Sequence, residues 1–484
     1  MPAAVRLDLI EILRTPGPGI GRFFSSATKR GSERFQLGEN LSGTRNLPGA
    51  RITYRQLKIG PVKSGERNRF ITLHAILPPF HRDIDMGDWI FVIEKLRVTR
   101  QRRLVRSTLS AMMKRMRILI APDKFKGSLG ERAVAEAIAA GLRAVLPQAV
   151  LVLAPVADGG EGTAEVIREA QRGEWRSCPA HDAFARPITA RYAWLEKAKT
   201  AVIEMSEAAG MRRLAPDELA PIQASTFGVG EMLLDAAACG AAEIIVGLGG
   251  SATNDGGFGL ARALGFRFEN RDGGEITGPV SDLLGLARIK TPNEPALPRI
   301  TAAADVSNPL LGPHGATHTF GPQKGATPQQ LELLERSLTC LAEVAAGTFH
   351  RDHRDVAGAG AAGGLGFGLL TFCNARMQSG FEVVAEAIAL RAKVERADIV
   401  ITGEGKLDRQ TLAGKAPAGL ARMARELNKP VFAIVGQMKD EPGVRELFDG
   451  VMTLDAPSQE YRNAARQLEL RARELAITES VFAK

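Results

Sequence analysis

Cysteine is scarce in this sequence, and closely spaced cysteines are absent from it. The 484 residues contain four, with no CxxC pair and no cysteine–histidine cluster among them: Cys178, Cys239, Cys340 and Cys373. Zinc sites and the disulfide frameworks of small secreted proteins both need cysteines at short spacings. The sequence therefore predicts neither, and it favours a reducing, cytoplasmic compartment.

Long apolar runs are also missing. No stretch approaches the roughly 18 apolar residues of a transmembrane helix, and the N-terminal MPAAVRLDLIEILRTPG has no continuous apolar core of the signal-peptide kind. With 45% apolar and 24% charged residues, the composition is that of an ordinary globular protein. We expect two or three domains and no membrane partner.

Acidic residues are few in the first 115 positions. That segment has 22 Lys and Arg against 9 Asp and Glu, a net charge of +13, and the remaining 41 against 45 give −4. A basic arm can bind nucleic acid or anionic surfaces, and an arginine-rich targeting peptide is a further alternative. Scattered arginines and a PGPG at 16–19 are more typical of a weakly ordered extension, or of a start codon set too early. We therefore expect a basic extension over 1–115, without nucleic acid as a partner.

From Met116 onward, strand and helix patterns alternate. RILIAP (117–122) is an apolar run typical of a buried strand, and residues 129–147 form an amphipathic helical pattern. Residues 187–206 are typical of hairpins or mixed strands. This alternation predicts an α/β protein. We expect a discontinuous α/β domain and a second α/β domain inserted into it, over 116–180 with 305–484, and over 181–304.

Four polar loops follow predicted strands, at the place where open α/β sheets bind ligands. In the first, APDKFKGSLGERA, Lys124 and Lys126 are cations and Ser128 is a hydroxyl at a helix start, a set that suits an anion. In the second, VADGGEGTAEV, Asp158 and Glu161 suit a divalent cation or a general base. Taken singly, both loops are also compatible with solvated turns that begin helices.

The third loop, GLGGSATNDGG (247–257), contains small donors and one carboxylate, but no large side chain. Glycines allow close approach of the backbone to a phosphate, and the helix beginning near Gly257 would direct its amides at an anion. Its candidate phosphate-binding residues are Gly249, Gly250, Ser251, Thr253 and Asn254. Asp255 has two interpretations, a helix cap or a catalytic carboxylate.

The fourth loop, TGEGKLDRQTLAGKAP (402–417), combines acidic and basic side chains after one apolar strand. Glu404 and Asp408 can ligate a metal, whereas Lys406 and Lys415 can neutralise phosphate charge. A charged surface turn is the alternative interpretation of this loop.

The four loops together have lysines, hydroxyls, glycines and carboxylates. From residue 116 onward the sequence has no Walker A motif, and no arrangement of a nucleophile with histidine. This inventory favours phosphoryl transfer, in which positioning and charge neutralisation dominate and Mg²⁺ bridges phosphate oxygens.

Seven motifs in order resemble the bacterial type 1 glycerate kinase family, over about residues 116–480: MRILIAPDKFKGSL, ADGGEGT, GLGGSATNDGG, DVSNPLLGPHGA with FGPQKGA, GAGAAGGLGFG and TGEGKLDRQTLAGKAP. The resemblance implies ATP-dependent phosphorylation of D-glycerate, usually to 2-phosphoglycerate, with Mg²⁺. It also implies a flavodoxin-like domain and a second, discontinuous α/β domain, with the active site in the cleft between them. The resemblance does not extend over residues 1–115.

Within that resemblance, we assign roles to loop residues as hypotheses. The ATP phosphates would lie against the third loop, with Lys406 or Lys415 neutralising charge from across the cleft. Lys124 or Lys126 would bind the carboxylate of glycerate. Asp158 or Asp255 would accept the proton of the substrate hydroxyl, and Glu404 and Asp408 would hold Mg²⁺.

Three other functions are alternatives to this one. GLGGSAT is similar to the glycine-rich loop of GHMP kinases, but Glu243 stands where that loop has proline. A nucleic-acid-binding chain would use the basic arm together with a degenerate kinase core. A nicotinamide dehydrogenase would need a strand before its GxGxxG motif, whereas HRDHRDVA precedes Gly358, Gly360 and Gly363.

Overall fold

The computed structural model divides the chain into two compact units, Met1–Arg115 and Met116–Lys484. In the second unit the structure describes residues 116–292, 297–408, 415–439, 442–454 and 463–483. In the first unit it describes the backbone of six antiparallel strands: Ile10–Arg14, Phe35–Leu37, Leu41–Leu47, Ala50–Pro61, Ile71–Leu77 and Asp88–Ile93. That this segment is a weakly ordered extension, or precedes the functional start, stays a prediction.

Strands and helices alternate through the second unit, as the apolar patterns predict. The strands are β1 Arg117–Ile120, β2 Val150–Leu153, β3 Glu174–His181, β4 Pro187–Leu195, β5 Thr200–Glu204, β6 Glu243–Gly247, β7 Arg267–Asn270, β8 Leu286–Lys290, β9 Arg299–Ala303, β10 Arg376–Gln378, β11 Ile399–Thr402, β12 Lys406–Leu407, β13 Val431–Val435, β14 Gln437–Met438 and β15 Gly450–Thr453. The helices are α1 Glu131–Val145, α2 Thr163–Gln171, α3 Ser206–Ala209, α4 Phe227–Ala238, α5 Phe258–Ala263, α6 Ala316–Phe320, α7 Pro328–Phe349, α8 Ala361–Phe372, α9 Gly380–Ala387, α10 Leu390–Arg396, α11 Ala416–Glu426 and α12 Ala464–Thr478.

A five-stranded parallel sheet has the order β15-β13-β11-β1-β2. Helices α1 and α12 pack on one face through an apolar cluster that includes Ile138 and Leu468, both fully buried. Helices α2, α9, α10 and α11 cover the other face through a cluster that includes Val384 and Leu420. Because both faces are covered, the strands are short continuous apolar runs, as is usual in parallel sheets. This three-layer arrangement confirms the predicted α/β fold class.

A second sheet has six strands in the order β10-β9-β6-β5-β4-β3. The strands β5, β6, β9 and β10 are parallel, and β3, β4 and β5 pair antiparallel. The predicted hairpin character of residues 187–206 is therefore present: in β4 and β5, Leu195 pairs with Thr200. The main core of this sheet includes Val246 of β6, Leu338 of α7 and Phe367 of α8, all buried.

Sheet membership changes at different places from the predicted domain boundaries. The chain enters the six-stranded sheet at Glu174 and returns to helices of the five-stranded sheet at Gly380, whereas the sequence predicts the second boundary at 304–305. Helices α6, α7 and α8 lie between, and their apolar side chains join the core of the six-stranded sheet. An amphipathic pattern indicates that a helix has an apolar face, but not which sheet that face covers.

Local sequence sets the start of the long helix α7. Thr327 Oγ1 accepts a hydrogen bond from Gln330 N at 3.3 Å, and Gln330 Oε1 accepts one from Thr327 N at 2.8 Å. This capping box, with Pro328 at the first helical position, fixes the start of α7. No helix in the described part of the chain is long and apolar enough to cross a membrane.

Candidate active site

The carboxyl ends of the two sheets meet through glycines. A methyl group added at Gly249, after β6, would lie 2.3 Å from Gly160 Cα, after β2. One added at Gly380, after β10, would lie 2.2 Å from the carbonyl oxygen of Asp158. Contacts this close need residues without a side chain, which accounts for the glycines of DGGEGT and GLGG. The loops after β2, β6 and β10 therefore line one site.

Polar groups also connect the loops at this edge, both within the five-stranded sheet and between the two sheets. The Lys124 ammonium, after β1, donates to the carbonyl oxygen of Glu161. Glu204, at the end of β5, accepts hydrogen bonds from the amides of Gly162 and Ala164, each at 2.9 Å. These amides begin α2, so a carboxylate from the six-stranded sheet caps a helix of the other sheet. Lys124 is half-buried in a region rich in carboxylates.

Three aspartates surround the point where the loops meet. Burial raises the pKa of Asp123 well above its usual value, and repulsion from Asp158 raises it further. Burial raises the pKa of Asp305 to about 7, with repulsion from Asp158 adding to it. Hydrogen bonds from Ser379 Oγ at 2.8 Å and Phe381 N at 3.3 Å favour the charged form of Asp305. Asp158 itself is half-buried and accepts a hydrogen bond from Gly160 N at 3.1 Å.

Neither Asp123 nor Asp305 has a role predicted from the sequence. Both lie in motifs that carry the family resemblance, Asp123 directly before Lys124 and Asp305 at the start of DVSNPLLG. Their signal is an aspartate that closely follows a buried parallel strand, the kind of position that identified Asp158.

The GLGGSATNDGG loop is held firmly by backbone hydrogen bonds. The Gly250 carbonyl accepts from Met211 N at 2.9 Å, and Ala252 N donates to the Ala209 carbonyl at 2.9 Å. Thr253 and Asn254 are fully buried, yet Thr253 Oγ1 and Asn254 Oδ1 have no hydrogen-bond partner in the described part of the protein. Buried polar atoms are almost always paired in native proteins, so these two atoms point to a ligand.

Asp255 is embedded behind the same loop. Its carboxylate accepts four hydrogen bonds, from Thr226 N (2.9 Å), Thr226 Oγ1 (2.8 Å), Gly257 N (3.1 Å) and Gly259 N (3.1 Å). Burial raises the pKa of this carboxyl, and the four donors oppose that rise. The Asp255 carboxylate therefore accepts hydrogen bonds at the start of α5, from Gly257 N at the N-cap position and from Gly259 N.

A buried lysine lies on the inner side of the loop. Lys324 is 1% exposed, and its Nζ donates to the Thr253 carbonyl at 2.6 Å. Burial lowers the pKa of Lys324 to about 7, whereas Asp255 raises it. The sequence patterns gave Lys324 no role, although it is the lysine of FGPQKGA. A charged side chain within a glycine-rich motif was the available signal.

The loop after β11 lies beside the loop after β1. Asp123 N donates to the Gly403 carbonyl at 2.8 Å, and a methyl group added at Gly405 would lie 3.4 Å from Lys126 N. Lys126 is exposed. Ser128 is half-buried, and its Oγ has no hydrogen-bond partner among the residues that the structure describes.

The candidate metal ligands differ in exposure. Glu404 is 6% exposed, and the half-buried Asp408 forms an ion pair of 3.4 Å with the exposed Lys406. Lys415 is half-buried at the start of α11, and 409–414 lie outside the described residues. Where side chains are described, no three His, Cys, Asp or Glu residues form a cluster that would hold a metal. Magnesium commonly takes one or two carboxylates together with substrate phosphates, and this donor set fits that pattern.

The second unit of the chain is similar to known proteins over most of its length. The model of the glycerate kinase family matches residues 118–479. Glycerate kinase of Bacillus subtilis (strain 168) is 39% identical over 372 residues, which cover 75% of this chain and 97% of that protein. Glycerate 2-kinase of Escherichia coli (strain K12) is 38% identical over 372 residues, with 75% and 98% covered. A crystal structure of glycerate kinase 2 from Salmonella typhimurium LT2 matches with a TM-score of 0.65 and 38% identity, over 75% of this chain and 98% of that one.

Proposed function

Because the chain belongs to the glycerate kinase family, we propose that it transfers the γ-phosphoryl group of ATP to D-glycerate. The product is 2-phosphoglycerate, the outcome that fits the name of the Escherichia coli relative. The observation that carries the proposal is the meeting of the loops after β1, β2, β6 and β11 at one edge. The small donors, lysines and carboxylates of these loops support a kinase site at that edge.

The GLGGSATNDGG loop is our candidate for the phosphate site. Gly249 and Gly250 expose backbone to a ligand, and Ser251, Thr253 and Asn254 add side-chain polar groups. The unpartnered Thr253 Oγ1 and Asn254 Oδ1 support this assignment, since a ligand would supply their missing partners. Lys406 and Lys415, from the opposite loop, would neutralise phosphate charge.

For the general base we favour Asp158 over Asp255. A general base must come within hydrogen-bond reach of the substrate hydroxyl. The Asp255 carboxylate already accepts four hydrogen bonds inside the protein. The half-buried Asp158 lies at the point where the loops meet and accepts a single described hydrogen bond, from Gly160 N.

The carboxylate of glycerate needs a cation, and Lys126 is the better placed of the two candidates. Its side chain is exposed beside the loop after β11, whereas the Lys124 ammonium is engaged by the Glu161 carbonyl. Lys124 is more suited to joining the loops after β1 and β2 and to offsetting nearby carboxylate charge. Ser128 Oγ, buried without a partner in the described part of the chain, would add a donor for the substrate.

Glu404 and Asp408 would hold Mg²⁺. When bound, the ion would neutralise charge on the β- and γ-phosphates. Asp408 would also orient Lys406 through their ion pair.

The test is an assay of the full chain with D-glycerate, ATP and Mg²⁺, with the product identified by NMR. Phosphorus–proton coupling to the C2 proton identifies 2-phosphoglycerate, and coupling to the two C3 protons identifies the 3-isomer. L-glycerate, homoserine and mevalonate serve as comparison substrates. ADP release that does not depend on D-glycerate would refute the proposal.

A further inference from the structure

Lys324 is unusual because its charge is buried beside a loop rather than in an ion pair. The side chain is 1% exposed, and its ammonium donates to a neutral carbonyl, that of Thr253, at 2.6 Å. Asp255 acts on Lys324 through space, but the Asp255 carboxylate is already engaged by four donors. An ammonium has three donors, and removing it from water opposes folding.

Stability alone does not explain this lysine. Replacing a buried charge by an apolar side chain of similar size is often neutral or stabilising. A methionine at position 324 would fill a similar volume without a desolvated charge. Packing therefore does not account for an ammonium at this position, and its contact with the Thr253 carbonyl indicates another role.

Thr253 lies in the GLGGSATNDGG loop, and neighbouring groups hold that loop from the same side. Asn254 Nδ2 donates to Thr317 Oγ1 at 3.1 Å, and Gly256 N donates to the Gly363 carbonyl at 3.1 Å. With these backbone and amide groups fixed, Thr253 Oγ1 and Asn254 Oδ1 remain without partners among the described residues. The loop is thus anchored on its inner side, and two polar atoms are left for a ligand.

We propose that Lys324 is a positioning residue for the nucleotide: its ammonium fixes the Thr253 carbonyl, and its buried positive charge lies behind the site for the phosphates. This inference rests on the proposed function for the nature of the ligand. Lys324 itself touches the loop and not the reacting atoms. A fixed positive charge in a region of low dielectric stabilises anions more strongly than a solvated one.

The experiment compares Lys324→Met and Lys324→Gln with the wild-type chain. Glutamine keeps a hydrogen-bond donor but has no charge, so it separates the anchoring contact from the electrostatic effect. Lys393→Met is the matched control, since Lys393 is a partly buried lysine on α10 whose pKa burial also lowers. Three quantities are measured: the Kd for ADP by calorimetry, the KM for ATP against kcat, and the melting temperature.

We expect Lys324→Met to weaken ADP binding and raise the KM for ATP about tenfold or more, whether or not the melting temperature changes. Lys324→Gln should fall between Met and wild type, and Lys393→Met should match wild type in both binding measurements. A lower melting temperature with unchanged Kd and KM would show a purely structural lysine and overturn the inference.

The wild-type chain provides a second readout. Because the pKa of Lys324 is about 7, its charge is lost as the pH rises through neutrality, and ADP affinity should fall from pH 6 to pH 9. Asp255 is the charged group that acts on Lys324. The pKa of Asp305 is also about 7, but Asp305 is present in all variants and contributes equally to each. The part of the pH dependence of ADP affinity that is due to Lys324 should therefore be absent in Lys324→Met. Equal slopes in both proteins would overturn the inference.

These readouts separate the inference from the proposed function. A wild-type chain that binds ADP but does not phosphorylate glycerate refutes the proposed function, whereas the Lys324 comparison still stands on ADP binding. A wild-type chain that does not bind ADP refutes both.

Discussion

Asp158 and Asp255 are both aspartates of loops at the sheet edge, and their surroundings separate their roles. Asp255 is 1% exposed and accepts four hydrogen bonds, which makes it part of the support of the loop. Asp158 is half-buried; burial raises the pKa of both Asp123 and Asp305, and the negative charge of Asp158 raises both further. The hydrogen bonds to Asp255 hold the backbone of the loop in place, whereas the surroundings of Asp158 are suited to proton transfer.

Replacing Asp255 by asparagine should therefore lower mainly the stability of the protein, whereas replacing Asp158 by asparagine should lower mainly kcat. Asp255→Asn places an NH₂ group among N–H and O–H donors, so we expect unfolding to become easier by about 1–3 kcal/mol. Asp158→Asn should leave the melting temperature near that of wild type and lower kcat about 100-fold or more, because the proton acceptor is lost. Thermal unfolding and steady-state kinetics of both variants check this. A stable Asp255→Asn protein with lost kcat would reverse the two assignments.

Asp305 should make stability depend on pH. Its folded-state pKa of about 7 lies above the ordinary value of 3.8, so the folded state binds the proton more tightly than the unfolded state. Stability should therefore fall as the pH rises from about 4 to about 7. The Asp305→Asn protein lacks the carboxyl that causes this fall in stability. Its urea midpoint should therefore fall less between pH 4 and pH 7 than the wild-type midpoint. Parallel curves for the two proteins would contradict the raised pKa of Asp305.

For single residues, the sequence predicts a functional side chain from its position after an apolar run. It does not predict which charged side chains become buried in the folded protein. A polar residue that closely follows an apolar run is predictable as a candidate, and Asp158 and Lys124 are candidates of this kind. Lys324 lies in a proline-containing turn, Pro322–Lys324, and only the folded chain brings that turn under the Thr253 carbonyl. Burial of a charge depends on long-range packing, which a local pattern does not encode.

At the scale of elements, the site depends on how closely two loops approach. Gly249 does not have a left-handed backbone conformation, but an added methyl group would lie 2.3 Å from Gly160 Cα. We expect Gly249→Ala to push the loops after β6 and β2 apart and to lower kcat/KM about tenfold or more, since small displacements of positioning groups reduce rates strongly. Kinetics with ATP and glycerate as the varied substrates measure the effect.

Gly347→Ala is the matched control for that variant. Gly347 lies within α7, and a methyl group there would meet nothing within 4 Å. Alanine is favoured over glycine in helices by up to about 1 kcal/mol, so this variant should be slightly more stable and equally active. An unaffected kcat/KM in Gly249→Ala would contradict the prediction that catalysis needs the close approach of the loops after β6 and β2.

Apolar patterns predicted the elements well and their sheet membership less well. The apolar run at 117–122 predicts a strand and contains β1, and the amphipathic pattern at 129–147 predicts a helix and contains α1. The second boundary near 304–305 differs from the sheet change at Gly380, because α7 and α8 pack on the six-stranded sheet. Which sheet a helix covers is decided by packing between distant segments, so the order of elements alone did not determine it.

At the scale of the whole molecule, charge and family likeness divide the chain at the same place. Residues 1–115 have a net charge of +13, and the remainder has −4. The family model matches residues 118–479, and the curated relatives are covered over 97% and 98% of their length by 75% of this chain. The basic segment therefore lies outside the part that resembles a complete enzyme.

Deletion of residues 1–115 should leave catalysis intact. Met116–Lys484 is a compact unit by itself, and it contains every residue that we place in the active site. We expect the 116–484 protein and the full chain to have the same kcat/KM for D-glycerate within about twofold, a difference of less than about 0.5 kcal/mol in transition-state free energy by the usual conversion. Parallel assays with ATP and Mg²⁺ at two salt concentrations measure this. A loss of about tenfold or more in the truncated protein, with an unchanged melting temperature, would show that the basic segment takes part in the reaction.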